Sequence, residues 1–112
     1  MNTITWSDFE KVEMRIGTII EVNDFPEARK PAYQLIIDFG IEIGIKKTSA
    51  QIKKRYIKGD LLNKQIVAVV NFPVKQIGKF MSECLVLGSI GNENDIVLLS
   101  SDIKVENGLR IG

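Results

Sequence analysis

Histidine is absent from the 112 residues, which removes the commonest general base, the usual partner of a nucleophile and the commonest metal ligand. The single cysteine, Cys84, excludes an internal disulfide and a zinc site built on cysteines. Flanked by Leu85, Val86 and Leu87, it reads as a buried strand residue and not as a reactive thiol. No apolar stretch approaches the roughly 18 residues of a membrane span, and the opening MNTITWSDFEK lacks the basic and apolar regions of a secretory leader. A cytoplasmic location is therefore expected. Acidic residues are scattered singly along the chain, with no pair set for acid/base or metal work. Together these absences argue against an enzyme and against a metal or any other cofactor.

What is present is the balance of a globular protein, 45% hydrophobic and 26% charged, in a length that suits one domain over residues 1–112. The net charge of +1 conceals an asymmetry. Residues 44–80 hold nine basic groups, Lys46, Lys47, Lys53, Lys54, Arg55, Lys58, Lys64, Lys75 and Lys79, against the one acid Asp60, a net of +8. The remainder has six basic residues and thirteen acidic ones, a net of −7. A focused positive region favours a polyanion or an acidic partner.

Thr5 with Asp8 three residues on is a capping-box pattern, so a short helix carrying Trp6 and Phe9 should open the chain. VEMRIGTIIEV (12–22) reads as a first strand with Met14, Ile16, Ile20 and Val22 on one face and Gly17 as a bend point. After the proline-containing loop NDFPEARKPA, YQLIIDF puts Tyr33, Leu35, Ile37 and Phe39 on one face. IEIGIKK returns as its hairpin partner with Ile41, Ile43 and Ile45 inward. Thr48 or Ser49 is placed to cap a helix through AQIKKRY that turns Ile52 and Tyr56 to the core and ends at Gly59. QIVAVVN is the most apolar strand, CLVLGSI and IVLL supply further ones, and Asn107–Gly108 sets a turn for a small terminal hairpin.

Three strands, a helix and two strands within about ninety residues is the order of an OB fold. That is an all-β class with short helices: a five-stranded barrel with a helix between strands 3 and 4 and short terminal extensions. Sheet-plus-helix α+β folds and other small barrels share this order. An OB barrel frames its ligand with the loops after strands 1 and 4. Here the first loop offers Arg29 and Lys30, and FPVKQIGKFMSE offers Lys75, Lys79 and the aromatic Phe80, with Lys46 on the strand between. Charge for phosphates beside a ring for bases suits looped or single-stranded nucleic acid. Phe72, next to a buried run, reads as a plug of the core.

The segments FEKVEMRIGTI, EARKPAYQLIIDFG, SAQI and NFPVKQIGKFMSECLVLG together resemble the tRNA-binding-domain family. IDFGIEIGIKKTSAQIKKRY and the final NGLRIG are similar to its CsaA branch in particular. The resemblance implies an OB barrel assembled as a homodimer. It also implies two activities: tRNA binding, and for the CsaA branch an export-related chaperone role with unfolded preproteins and the SecA motor as partners. It puts the ligand pocket around Ser49, Gln51, Asn71, Pro73, Lys75, Gly78 and Ser82, with Arg29 and Phe80 at the rim. Where synthetase-type members have glycine and methionine after the serine equivalent to Ser82, this chain has Glu83 and Cys84. An acid there is expected to weaken phosphate binding.

Three readings follow: a chaperone-like binder of unfolded chains, using an apolar floor and sheet-edge hydrogen bonds; an RNA binder with steep salt dependence; and a dimerisation module with no ligand of its own. Ile4, Trp6 and Phe9 at one end and Val105, Leu109 and Ile111 at the other favour pairing over plugging.

Overall fold

Thr5 and Asp8 close the expected capping box: Thr5 Oγ1 accepts the Asp8 N–H at 3.0 Å and the Asp8 carboxylate accepts the Thr5 N–H at 3.2 Å. Helix α1 follows over Trp6–Glu10. The computed structural model describes all 112 residues. Its further elements are β1 (Met14–Asp24), β2 (Tyr33–Asp38), β3 (Ile45–Ala50), α2 (Lys58–Leu61), β4 (Gln65–Val69), β5 (Lys75–Ile77), β6 (Phe80–Ser82), β7 (Leu85–Val86), β8 (Gly88–Ile90), a 3₁₀ turn at Asn92–Asn94 and β9 (Ile96–Leu98). Five strands in the antiparallel order β3-β2-β1-β4-β7 form a nearly closed barrel, while β5-β6 and β8-β9 are separate hairpins. The all-β class, the five-strand barrel and the short helix between strands 3 and 4 are as the element order implies. No helix is long and apolar enough to cross a membrane.

The strand β1 departs from its simple alternation. Its register with β2 shifts between Ile19 and Glu21, a bulge that inserts Ile20 and flips the phase. Ile16 and Ile19 are buried, and Ile20, expected inward, is exposed. Gly17 serves close approach and not merely a bend: a Cβ there would lie 2.6 Å from both Ile37 Cγ2 and Phe39 Cδ1, so the missing side chain lets those core residues press on the backbone.

In β2 the expected alternation holds, with Tyr33, Leu35 and Ile37 buried and Phe39 following them inward. Its return does not. Gly40 and Gly44, at φ 88° and 84°, bracket a turn over residues 41–43, so Ile41 and Ile45 point to solvent and β3 begins only at Ile45. The helix expected from Thr48 is displaced as well. Residues 48–50 pair with β2, because Thr48, β-branched and buried, hydrogen-bonds Ser82 Oγ at 2.9 Å and the Cys84 carbonyl at 2.6 Å. Only the four-residue α2 forms, with Gly59 inside it. Ile52 and Tyr56 nevertheless face inward through a single turn closed by Tyr56 N–H to Ile52 O. Phe72, expected as a core plug, is 55% exposed.

The β7–β8 run breaks at Leu87, whose N–H donates to Val67 O and whose carbonyl accepts from Leu99 N–H. The tail forms no hairpin. β2 pairs with β1 only from Thr18 onward, and the tail takes its place along the earlier half. Gly108 N–H donates to Ile16 O at 2.7 Å, Ile16 N–H to Leu109 O at 3.0 Å, and Ile111 N–H to Met14 O at 2.9 Å. Gly108 (φ 94°) makes the reversal that brings it there. The Gln65 amide ties the tail down, donating to Val105 O and accepting the Val105 N–H.

Candidate functional site

The barrel closes where β3 meets the link between β6 and β7, through Thr48 to Ser82 and Cys84 and through the backbone of Lys47 to Glu83. Lys47 N–H donates to Glu83 Oε1 at 3.0 Å, and Glu83 N–H donates to Lys47 O at 2.8 Å. Glu83 thus supplies both halves of a strand pair, one from its backbone and one from its side chain. Its carboxylate is committed to a backbone N–H and does not stand free as the acid beside a pocket that the sequence implied. Past this closure β3 and β7 enclose a groove of about 990 Å³ together with the β4–β5 segment and the β8–β9 hairpin.

Of the residues expected around the pocket, Ser49, Gln51, Pro73, Lys75 and Ser82 line the groove. The others do not. Asn71 is occupied in holding the N-terminal segment, accepting the Glu13 N–H at 3.0 Å and donating to Lys11 O at 2.7 Å. Gly78 (φ 61°) makes the β5–β6 turn with Lys79 beside it on the hairpin. Phe80 is half-buried, its ring centroid 5.3 Å from that of Phe25 and 5.4 Å from Lys47 Nζ, instead of standing as a free stacking surface. Arg29 lies in the β1–β2 loop and Lys46 on β3, neither on the groove. Missed from the sequence were the apolar walls: Ile52, Leu85, Val86, Ile90 and Ile96. The alternating run CLVLGSI was the available signal, but it reads equally well as ordinary core.

Charge is distributed differently from the linear count. Asp24 accepts from Lys58 at 2.9 Å and pairs with Lys53 at 3.5 Å, and Asp95 holds Arg55. The hydrogen bond from Lys58, opposed by desolvation and aided by the charges of Lys58 and Lys53, holds the Asp24 carboxyl below its ordinary value. Arg55 does the same to Asp95. Three of the nine cations of residues 44–80 are therefore matched by acids from outside that segment. Lys75 is the only charged side chain lining the groove. Cys84 also lines it, and burial pushes its thiol up to about 12 against the weaker opposing pull of Lys46 and the Thr48 hydrogen bond. No three His, Cys, Asp or Glu side chains converge to hold a metal ion.

Residues 14–110 match the family model of the tRNA binding domain. The chain belongs to the tRNA-binding-domain family. Within it, the chain is of the CsaA type. It is 48% identical to the crystal structure of chaperone CsaA from Bacillus anthracis, covering 99% of this chain and 100% of that one with a TM-score of 0.94. It is 52% identical to the CsaA chaperone structure from Picrophilus torridus, over 98% and 100%, with a TM-score of 0.91. The methionine–tRNA ligase of Thermococcus onnurineus is 35% identical over 96% of this chain, which spans 14% of that enzyme's length. A fold shared with a segment of a ligase transfers no catalytic residue.

Proposed function

We propose that this chain is a single-domain, non-enzymatic binding protein whose groove receives unfolded polypeptide, an export-related chaperone role in the cytoplasm with unfolded preproteins and the SecA motor as partners. One observation carries it: 11 of the 20 residues around the groove are hydrophobic and Lys75 is its only charge. Apolar side chains of an unfolded segment gain from such a lining, about 25 cal/mol for each Å² of apolar surface buried, whereas a phosphate backbone needs several cations. Ser49, Gln51, Pro73, Lys75 and Ser82 are the groove residues of this reading.

A second reading, tRNA, is favoured by the family and by the methionine–tRNA ligase relatives. Its surface would be the β5–β6 hairpin with Lys75 and Lys79, beside Lys47 over Phe80. Homodimerisation belongs to both readings. Arg110 donates to Glu10 O at 2.7 Å, which sets α1 against the tail. Trp6 (82% exposed), Ile4 and Leu109 then leave apolar surface uncovered at that end. A monomer at micromolar concentration in the ultracentrifuge would refute pairing.

The deciding experiment is fluorescence anisotropy of a labelled unfolded preprotein and of labelled bulk tRNA with the same protein across a salt series. Salt-tolerant preprotein binding with feeble tRNA affinity is the expected result. Tight tRNA binding that collapses with salt, with no preprotein bound, makes the RNA reading primary.

A further inference from the structure

β8 and β9 form a sheet of their own, separate from the barrel, and Ile90, Ile96 and, from the turn between them, Asn94 make one wall of the groove. The hairpin is fastened firmly at its base. Leu87 N–H donates to Val67 O, Val67 N–H to Leu99 O and Leu99 N–H to Leu87 O, and Leu98 N–H donates to the Tyr56 hydroxyl at 3.0 Å. Beyond that base, residues 89–97 reach the body of the protein through polar contacts with two side chains only. Arg55 holds the Asp95 carboxylate with two guanidinium nitrogens, Nη2 lying 3.0 Å from Oδ2, and Lys54 Nζ donates to Asn92 O at 3.4 Å. Arg55 and Lys54 are neighbours in the segment that joins β3 to α2. Apolar anchorage is thin as well: Ile96 packs on the core, but Ile90 is 86% exposed.

A segment rooted at one end and tied at the other by an exposed ion pair opens at low cost. The two-pronged geometry fixes the direction of the pair as well as its length, yet a pair in solvent is weak and is screened by salt. The turn itself works against closure. Glu93 and Asn94 are consecutive left-handed residues (φ 56° and 60°), a backbone that L side chains disfavour, and Asp95 follows them directly with its carboxylate on Arg55. We propose that the β8–β9 hairpin is a hinged flap on the groove, pivoting at Leu87 and Leu98 and latched shut by the Arg55–Asp95 pair, so that the width of the groove responds to ionic strength. The latch goes beyond either reading of the ligand: it sets how far the walls stand apart before any polymer enters.

Cys84 reports the opening. It is the only cysteine, it is 7% exposed, it lines the groove, and it belongs to the core cluster on which Ile96 packs. Its labelling by a thiol reagent is timed in the native protein, in Asp95→Asn, in Asp95→Lys, which sets a cation against Arg55 and Lys54, and in the double variant Arg55→Glu with Asp95→Lys, which restores the pair in reverse. Hydrogen exchange of the Ile19 amide, bonded to Lys64 O at 2.9 Å, tracks global unfolding. Asp95→Lys should label about tenfold faster than native and Asp95→Asn about threefold faster, the double variant should return to within about twofold of native, and Ile19 exchange should stay unchanged throughout. Raising salt from about 20 mM to about 1 M should speed the native protein by about threefold relative to Asp95→Asn. Should Asp95→Lys fail to fold, Asp95→Asn and the salt series decide. Labelling that is equal in native and variants overturns the flap, as does Ile19 exchange that rises in step with labelling, because the pair then secures the whole barrel. A double variant as fast as Asp95→Lys overturns the latch.

Discussion

Two strand edges of this barrel are treated in opposite ways. The early half of β1, which β2 does not reach, is covered by the chain's own tail through three backbone hydrogen bonds at Ile16 and Met14. The far half of β3 is covered at Lys47 by Glu83 and then left open at Ser49. Bare strand edges invite other chains, and proteins ordinarily cover or blunt them. The fold spends seven residues on covering one edge and leaves another open over an apolar groove.

The comparison is broken most severely at the sealed edge. Removing residues 106–112 deletes the three tail bonds and bares Ile16, and should cost about 3 kcal/mol or more in urea unfolding. Gly17→Ala, on the same wall, forces a Cβ to within 2.6 Å of Ile37 and Phe39 and should cost about 1–3 kcal/mol. Ser49→Ala on the open edge should change stability by less than about 0.5 kcal/mol. At the seam, Glu83→Ala leaves the Lys47 N–H without its acceptor and should cost about 1–2 kcal/mol, with faster Lys47 amide exchange. Glu83→Gln keeps an acceptor and should restore most of that.

The seam also contributes a pH dependence. Because burial raises the Cys84 pKa from 9.0 to about 12, the folded state holds its proton where the unfolded state releases it. The associated stability is present below pH 9 and declines as pH rises toward 12, by about 1 kcal/mol at pH 10. The difference between the native protein and Cys84→Ala across that range isolates it. Smallest of all, Phe72→Ala should cost less than about 0.5 kcal/mol, since the ring is exposed; a loss above 2 kcal/mol would restore it to the core.

Local chemistry was readable wherever one residue decides one feature. The Thr5–Asp8 cap, the alternation of Tyr33 to Phe39, the buried β4 run and the burial of Cys84 needed only side-chain preference and a period of two. Reading failed where a distant partner intervened. A bulge inverted the face of Ile20, because nothing in the local pattern marks one extra residue in a strand. Thr48 and Ser49 looked like helix caps, yet pairing with β2 and bonds to Ser82 and Cys84 made them strand. The charge run 44–80 was real as composition, but Asp24 and Asp95 arrive from elsewhere to match part of it. Of the residues expected at the site, Ser49, Gln51, Pro73, Lys75 and Ser82 lie together along the groove, while Asn71 hydrogen-bonds the N-terminal segment and Phe80 packs against Phe25.

By itself the sequence determined the class of this protein: an all-β barrel with an uneven surface charge, no histidine and a single cysteine. Those follow from composition and from periodicities that act over a few residues. Only the tertiary structure decided which edges are closed, which cations remain unmatched and where the apolar groove opens. Those depend on groups far apart in the chain, Lys47 with Glu83, Asp24 with Lys58 and Ile16 with Leu109, whose proximity no local pattern encodes.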